Sequence, residues 1–261
     1  AHPDLRDVLV LAVSQSGSSP DLVEPVTRAR QGGAITLAVT NAPDSPLAQA
    51  AEFHLDILAG PERAVAATKT YTAQLLTLFL LIESLADGRL DSEYLPERAE
   101  EVLALEGEIE RLATRYRFAD LLVITARGYN YATARETALK LMETSYIVAD
   151  GFSGADLLHG PMAMIDRGFP VIAIVPPGAG SAALQPVLQR LGEIGADTLV
   201  VGDEAATRLG TMGLALPDLG PEALSPILAI LPMQQFAFFL ARGRGLDPDQ
   251  PRGLQKVTET W

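Results

Sequence analysis

The feature that most constrains this chain is a series of short, uninterrupted apolar runs that alternate with segments of helical periodicity. The run Val8–Val13 ends at a turn rich in serine and glycine, and a helical pattern begins at Pro20. Comparable runs at Ile35–Thr40 and Leu121–Thr125 are also followed by turn residues. Runs of this length are typical of strands buried on both faces, as in parallel sheets. The alternation therefore predicts an α/β fold with parallel sheets.

The two halves of the chain repeat this pattern. The predicted strands are Val8–Val13, Ile35–Thr40, Phe53–Leu58, Leu121–Thr125, Val171–Val175 and Thr198–Val201. The predicted helices are one from Pro20 to Gly32, then Leu47–Ala51, Ala64–Ala86, Ala132–Ile147, Ala182–Ile194 and Leu224–Leu240. A shift of 171 − 8 = 163 residues carries Val8 onto Val171, and it also carries Ile35 onto Thr198, which indicates an internal duplication. Because the strand at Leu121 has no partner in the first half, we expect the first half to lack a strand and a helix.

Composition and charge exclude several classes of protein. Hydrophobic residues make up 48% and charged residues 20% of the chain, as in folded domains and unlike disordered ones. The apolar stretch Leu78–Ile82 is far shorter than a membrane span, and no secretory leader is visible. The net charge of −13 argues against nucleic acid as a partner. The chain has no cysteine, which excludes disulfides, thiolate metal sites and cysteine nucleophiles.

A cluster of hydroxyl side chains stands where the first strand gives way to the first helix, in the sequence Ser14-Gln15-Ser16-Gly17-Ser18-Ser19. Ligands of open parallel sheets bind outside the carboxyl ends of the strands, and helix N-termini attract anions. The cluster therefore predicts a phosphate site, although a plain turn with Ser19 as helix cap fits the pattern too. No Gly-Lys-Ser/Thr follows, so nucleotide hydrolysis is not expected.

Three further places hold side chains suited to acid–base chemistry. Glu136, Lys140 and Glu143 share one face of a predicted helix, where a solvated ion pair is the simpler interpretation. His159 lies in an apolar loop and is either a packed loop histidine or an acid–base group. Lys256 lies in a short tail without an amphipathic pattern, for which a frayed terminus is the simpler interpretation. No two histidines have metal-ligand spacing, so no metal and no cofactor are expected.

Taken together, these stretches resemble the sugar isomerase (SIS) domain family. The resemblance is closest to the isomerase half of glucosamine-6-phosphate synthase and to the stand-alone SIS-type glucosamine-6-phosphate deaminases. The matching motifs are Ser14-Gln15-Ser16-Gly17 with Pro20-Asp21, Gly60–Gln74, Glu136–Tyr146, His159-Gly160-Pro161, and Asp249–Arg252 with Lys256. Five motifs in one order over one fold make the resemblance specific.

The resemblance implies a fold and a domain organisation. It predicts two tandem SIS subdomains of flavodoxin-like, three-layer α/β/α type, the first lacking its first strand and helix. The expected boundaries are 1–105 for the first subdomain, 106–245 for the second, and 246–261 for a tail that carries Lys256.

The resemblance also implies a role for each matching residue. The side chains expected to hold the sugar phosphate are Ser14, Gln15, Ser16 and Ser19. The backbone of Val65 and Ala67 would border the sugar. The residues expected to carry the chemistry are Glu143 as the base between C1 and C2, Lys140 at the sugar hydroxyls, His159 as ring opener and Lys256 as the amine near the carbonyl. In the family, the histidine comes from the neighbouring subunit of a dimer.

The expected function is deamination and isomerisation of glucosamine 6-phosphate to fructose 6-phosphate and ammonia, in a cytoplasmic homodimer that binds neither nucleic acid nor membrane. Two departures from the synthase pattern favour the stand-alone deaminases over the synthase. Ala67 stands where the synthase has a serine, and Met142 stands where it has a second lysine. No glutaminase domain is visible. The alternatives are the isomerase module of a glutamine–fructose-6-phosphate aminotransferase and a non-catalytic phosphosugar sensor.

Overall fold

The computed structural model describes residues 4–86, 91–254 and 256. The chain divides into two compact units. Unit 1 comprises Ala1–Gly88 with Arg252–Trp261, and unit 2 comprises Arg89–Pro251. No helix within the described ranges is both long enough and apolar enough to cross a membrane.

Unit 1 contains a parallel sheet with the strand order β1-β2-β3. Its elements are β1 (Leu9–Ser14), α1 (Pro20–Gln31), β2 (Ile35–Thr40), α2 (Pro46–Ala50), β3 (Phe53–Asp56) and α3 (Lys69–Leu85). Leu9 lies opposite Ile35, and Leu37 lies opposite Phe53. A small apolar core joins the sheet to the first two helices through Ala12, Val26, Ala38, Leu47 and Ala51.

Unit 2 contains a parallel sheet with the order β5-β4-β6-β7-β8. Its strands are β4 (Leu121–Ala126), β5 (Val148–Ser153), β6 (Pro170–Val175), β7 (Asp197–Gly202) and β8 (Met212–Ala215). Its helices are α4 (Leu95–Leu103), α5 (Glu106–Arg115), α6 (Tyr131–Ser145), α7 (Gly154–Leu158), α8 (Ala179–Ile194), α9 (Glu204–Thr207) and α10 (Ser225–Gly243), with short 3-10 turns at Gly128–Asn130 and Pro161–Met164.

Helix α6 sits close against its sheet because a glycine removes the obstacle. It packs on β4, β5 and α10. A Cβ added to Gly151 of β5 would lie 2.8 Å from the carbonyl oxygen of Ala134 in α6. Since real Cβ atoms do not approach so closely, only glycine allows this helix its position. The position matters because α6 carries Glu136, Lys140 and Glu143.

The two sheets confirm the predicted α/β class and share a pattern. The order β1-β2-β3 repeats the order β6-β7-β8, and the described part of unit 1 contains no counterpart of β4 and β5. Strand β1 is therefore an edge strand there, and its Leu9 is 54% exposed although the run reads as a buried strand. The subdomain boundaries at 105/106 and 245/246 stay a prediction.

All six predicted strands are present, but one predicted helix begins late. The predicted helix Ala64–Ala86 begins only at Lys69. The first backbone N–H groups of the real helix bond to the Glu62 side chain, so the chain from 62 to 68 is a loop. The predicted strand Phe53–Leu58 ends at Asp56, and Leu58 adopts a left-handed φ of 53°. Strands β5 and β8 were not predicted, because neither has an uninterrupted apolar run.

Candidate functional site

The serine-rich loop between β1 and α1 is held by its own hydroxyl oxygens. Ser14 Oγ accepts a hydrogen bond from Gly17 N–H at 3.1 Å, and Ser16 Oγ accepts one from Ser18 N–H at 3.3 Å. Ser19 is the N-cap of α1 with extended backbone, and its hydroxyl makes no capping bond. Because the first two hydroxyls act as acceptors here, each retains its proton for an external acceptor. The loop thus presents O–H donors at a helix N-terminus, where an anion is favoured.

Gly17 fixes the shape of this loop. Its φ is +62°, and a Cβ added there would lie 2.2 Å from Ser45 Oγ. The Gly17 carbonyl oxygen accepts a bond from Leu47 N–H at 3.0 Å, and the Gln15 carbonyl oxygen accepts one from Asn41 N–H at 3.1 Å. The loop after β1 is therefore fastened to the segment after β2, and a side chain at Gly17 would break that contact.

A second loop of unit 1, residues 60–68, carries Val65 and Ala67. Its end is held by Glu62, whose Oε2 accepts bonds from Thr68 N–H, Thr70 N–H and Thr70 Oγ1 at 3.2, 3.0 and 2.8 Å. Lys256 Nζ donates a hydrogen bond to the carbonyl oxygen of Ala64 in this loop. The predicted amine thus contacts the loop that carries the predicted sugar-bordering residues.

In unit 2, the acidic and basic side chains of α6 form a largely buried cluster. Lys140 Nζ lies 2.6 Å from Glu143 Oε2 and 3.5 Å from Glu136 Oε1. The side chains of Lys140, Glu136 and Glu143 are 6%, 11% and 24% exposed. The simpler interpretation, a solvated ion pair, is therefore wrong. Glu143 Oε1 makes no hydrogen bond within the described ranges, so this oxygen is available to accept a proton.

Burial raises the pKa of Glu136, Lys140 lowers it in part, and the nearby Glu143 carboxylate raises it again. A perturbed carboxyl group beside a buried lysine is typical of a functional site. Sequence reasoning gave Glu136 no role of its own. The spacing of four residues between Glu136 and Lys140 indicated that the two side chains are neighbours on the helix. It could not indicate that both are buried, which is what makes Glu136 part of the cluster.

His159 is exposed at the C-terminal end of α7. Its backbone N–H donates to the Asp156 carbonyl oxygen at 3.1 Å. Its ring makes no hydrogen bond with any described residue, so it does not join the α6 cluster through such a bond. The interpretation as a packed loop histidine is wrong. An accessible imidazole can still act as an acid or a base.

The arrangement of histidine and carboxylate side chains bears on whether this site could hold a metal ion. Within residues 4–86, 91–254 and 256, no three histidine, aspartate or glutamate side chains come together as metal ligands. The groups described above are hydroxyl, backbone amide and lysine donors together with carboxylate acceptors, a set that suits a phosphorylated organic substrate.

The SIS domain family is matched over residues 5–84 and 117–230, and each segment falls within one unit. The isomerizing glutamine–fructose-6-phosphate aminotransferase of Mycobacterium bovis is 37% identical over an alignment of 270 positions, which covers 96% of this chain and 43% of that protein. This chain belongs to the SIS domain family. It spans less than half the length of the curated relatives it matches.

Solved structures agree with the fold. The C-terminal domain of the glucosamine-fructose-6-phosphate aminotransferase from Francisella tularensis superposes with a TM-score of 0.85 at 28% identity, covering 94% of this chain and 73% of that one. A glucosamine-6-phosphate deaminase from Thermotoga maritima gives a TM-score of 0.76 at 22% identity, covering 99% and 77%. The second likeness shows the fold alone. The similarity therefore favours the aminotransferase alternative over the deaminase expectation.

Proposed function

We propose that this chain is the isomerase module of a glutamine–fructose-6-phosphate aminotransferase, acting on a hexose 6-phosphate by proton transfer between C1 and C2. The observation that carries the proposal is the buried cluster on α6, in which Lys140 contacts both glutamates and Glu143 keeps one carboxylate oxygen without a partner among the described residues. The similarity to aminotransferases over 96% of the chain supports the same conclusion.

In this proposal the loop after β1 binds the phosphate. Its binding residues are Ser14, Gln15, Ser16 and Ser19, and the positive end of the α1 dipole adds to the attraction. The backbone at Val65 and Ala67 borders the sugar. Fixing the phosphate orients the far end of the substrate, which lowers the entropic part of the barrier.

The chemistry begins with ring opening, because the proton next to the carbonyl is acidic only in the open-chain sugar. His159 moves the proton between the ring oxygen and the anomeric hydroxyl, which is on C2 of fructose 6-phosphate and on C1 of glucosamine 6-phosphate. Glu143 then removes a proton from one carbon and returns it to its neighbour. Lys140 stabilises the negative charge that develops on the oxygens, and Lys256 meets the carbonyl as an amine or a hydrogen-bond donor.

The deaminase is the second candidate, and it has its own support. Ala67 and the exposed Met142 replace a serine and a lysine of the synthase pattern. A deaminase uses the same proton transfer in the direction that releases ammonia from glucosamine 6-phosphate. The homodimer, with His159 supplied by the neighbouring subunit, and the cytoplasmic location belong to both candidates and stay predictions.

Assays in both directions separate the candidates. The chain is incubated with fructose 6-phosphate and an ammonium salt, and separately with glucosamine 6-phosphate. Net formation of glucosamine 6-phosphate supports the aminotransferase module, whereas release of ammonia as the favoured direction supports the deaminase. Phosphosugar binding without turnover in either direction would contradict both and point to a sensor.

Glu143→Gln tests the residue that carries the proposal. The variant should lose turnover at least about 1000-fold while phosphosugar binding changes little, because the amide cannot take the proton. Glu193→Gln is the matched control, since Glu193 forms an exposed pair with Arg190 at the same helical spacing of three residues. Retained turnover in Glu143→Gln would overturn the assignment.

A further inference from the structure

Unit 2 has its own strand–loop–helix connection at the place that corresponds to the phosphate loop of unit 1, between β6 and α8. There the helix N-terminus is already occupied. Glu222 Oε2 accepts a bond from Ala179 N–H and Glu222 Oε1 accepts one from Gly180 N–H, both at 2.8 Å. One carboxylate thus satisfies two N–H groups that a helix start otherwise leaves for an anion.

Glycines make room for this carboxylate. A Cβ at Gly178, where φ is +143°, would lie 2.4 Å from Glu222 Oε2, and a Cβ at Gly180 would lie 2.9 Å from Glu222 Oε1. At Gly128, in the neighbouring connection after β4, a Cβ would lie 3.5 Å from Oε1, an ordinary van der Waals contact, so the room is made by Gly178 and Gly180. The carboxylate therefore lies directly against backbone at the start of α8, in the place that a bound anion would take.

The backbone of Glu222 is itself anchored. Its carbonyl oxygen accepts a bond from Ser225 Oγ at 2.8 Å, and Ser225 Oγ accepts one from the buried Asn130 Nδ2 at 2.7 Å. Asn130 Oδ1 in turn accepts a bond from Thr133 Oγ1 in α6 at 3.1 Å. These buried side chains fix the residue that reaches the start of α8.

The corresponding glutamate of unit 1 has a different position. Glu62 and Glu222 both lie shortly before the last helix of their half, 222 − 62 = 160 residues apart. Glu62 bonds to Thr68 and Thr70 at the start of α3, and no bond joins it to the start of α1 in the described part of the chain. The α1 end is surrounded instead by the hydroxyls of the phosphate loop.

We propose that Glu222 is a built-in anion that closes the anion-binding loop of unit 2, so that the chain takes a single phosphorylated ligand, in unit 1. The part concerning unit 1 rests on the proposed function. The part concerning unit 2 rests on the two carboxylate bonds and the glycines around them. Replacing Glu222 by a short side chain then converts the start of α8 into a site for a free oxyanion.

The test compares Glu222→Ala with Glu222→Gln and the unaltered chain, with inorganic phosphate as the probe and chloride at equal ionic strength as the reference. In chloride, Glu222→Ala should melt about 5 °C lower than the unaltered chain because two N–H groups lose their acceptor. Phosphate should restore at least half of that loss and add one bound phosphate per chain in calorimetry.

Glu222→Gln keeps the volume of the side chain but loses its charge and one acceptor oxygen. It should also melt lower than the unaltered chain, and phosphate should not rescue it because the amide fills the space. The proposal fails if Glu222→Gln is as stable as the unaltered chain, or if phosphate raises the Tm of Glu222→Ala no more than that of the unaltered chain. A missing phosphate site in unit 1 appears separately, as absence of phosphate binding to the unaltered chain.

Discussion

At the scale of single residues, Lys140 is the centre of the buried charged cluster on α6. Its ammonium group is in contact with both Glu143 and Glu136, and its side chain is 6% exposed. Removing one partner of a buried ionic group leaves the others uncompensated, which costs far more than losing an exposed pair. The cluster is therefore sensitive to truncation at its centre.

Lys140→Met should lower the free energy of unfolding by about 3 kcal/mol at pH 8 and by clearly less at pH 5. The folded-state pKa of Glu136 is raised by burial, so the folded state binds that proton more tightly than the unfolded state does. Stability therefore falls as pH rises from the unfolded pKa to the folded one. Without Lys140 the folded pKa is higher still, so the loss grows with pH. Denaturant unfolding at both pH values measures it.

Arg190→Met is the matched control, because it removes the cation of the exposed Arg190–Glu193 pair. Its effect should stay below about 1 kcal/mol at either pH. Equal losses for Lys140→Met at pH 5 and pH 8, or a loss no larger than that of the control, would contradict the account of the cluster.

Gly17→Ala should weaken phosphosugar binding at least about tenfold and lower the free energy of unfolding by about 2 kcal/mol. The left-handed φ of +62° disfavours alanine, and its Cβ would overlap Ser45. Gly107→Ala in α5 is the control, since a Cβ there meets nothing within 4 Å and alanine favours the helix. Calorimetric titration with fructose 6-phosphate measures binding. Unchanged affinity would mean that the loop shape does not govern phosphate binding.

At the scale of elements, the loop 60–68 depends on one carboxylate. Glu62 accepts three bonds from Thr68 and Thr70 at the start of α3. Glu62→Ala should lower the Tm by about 4 °C and raise amide hydrogen exchange across residues 62–70, because the loop and the helix start lose their common acceptor.

The exposed Glu52 provides a matched control, since only its backbone N–H is engaged, with Thr36. Glu52→Ala should change neither the Tm nor the exchange pattern. Unchanged exchange across residues 62–70 in Glu62→Ala would show that the loop is held by other contacts.

The elements that sequence could predict are those whose signal is local. The run Ile35–Thr40 gives a strand with those same bounds, because burial on both faces selects consecutive apolar residues. The start of α3 could not be found from periodicity, because a side chain in the preceding loop, Glu62, sets it through hydrogen bonds. Strand β5 reads Val-Ala-Asp-Gly-Phe-Ser and is an edge strand, where alternation and polarity hide the pattern.

The candidate site was likewise predictable from the sequence only in part. The spacing of Glu136, Lys140 and Glu143 places them on one helix face, but their burial depends on packing that spacing does not encode. The contact of Lys256 with Ala64 joins residues 192 positions apart, and no local pattern predicts it. Motif resemblance supplied the roles of these residues, and the structure supplies their surroundings.

At the scale of the whole molecule, the homodimer with a shared histidine makes a prediction that separates it from a self-contained subunit. Glu143→Gln and His159→Ala should each be inactive alone. Co-expressed in one cell with different tags, they should yield mixed dimers with two unlike sites. One site carries both substitutions, and the other site carries neither and is intact. Activity should return to about a quarter of the wild-type value under random pairing.

The control for this experiment is a mixture of the two purified variants assayed at once, before subunits exchange, which should remain inactive. If the co-expressed proteins associate but show no activity, the two residues act within one subunit. If the chain runs as a monomer in light scattering at micromolar concentration, the shared site is excluded.

The most direct test of the central claim is exchange of the sugar C–H proton with solvent. The chain is incubated with fructose 6-phosphate in deuterated water, and deuterium at C1 is followed by NMR, with Glu143→Gln and Glu193→Gln in parallel. The account predicts exchange in the unaltered chain and in Glu193→Gln, and none above background in Glu143→Gln. Exchange that persists in Glu143→Gln would contradict the assignment of Glu143 as the base.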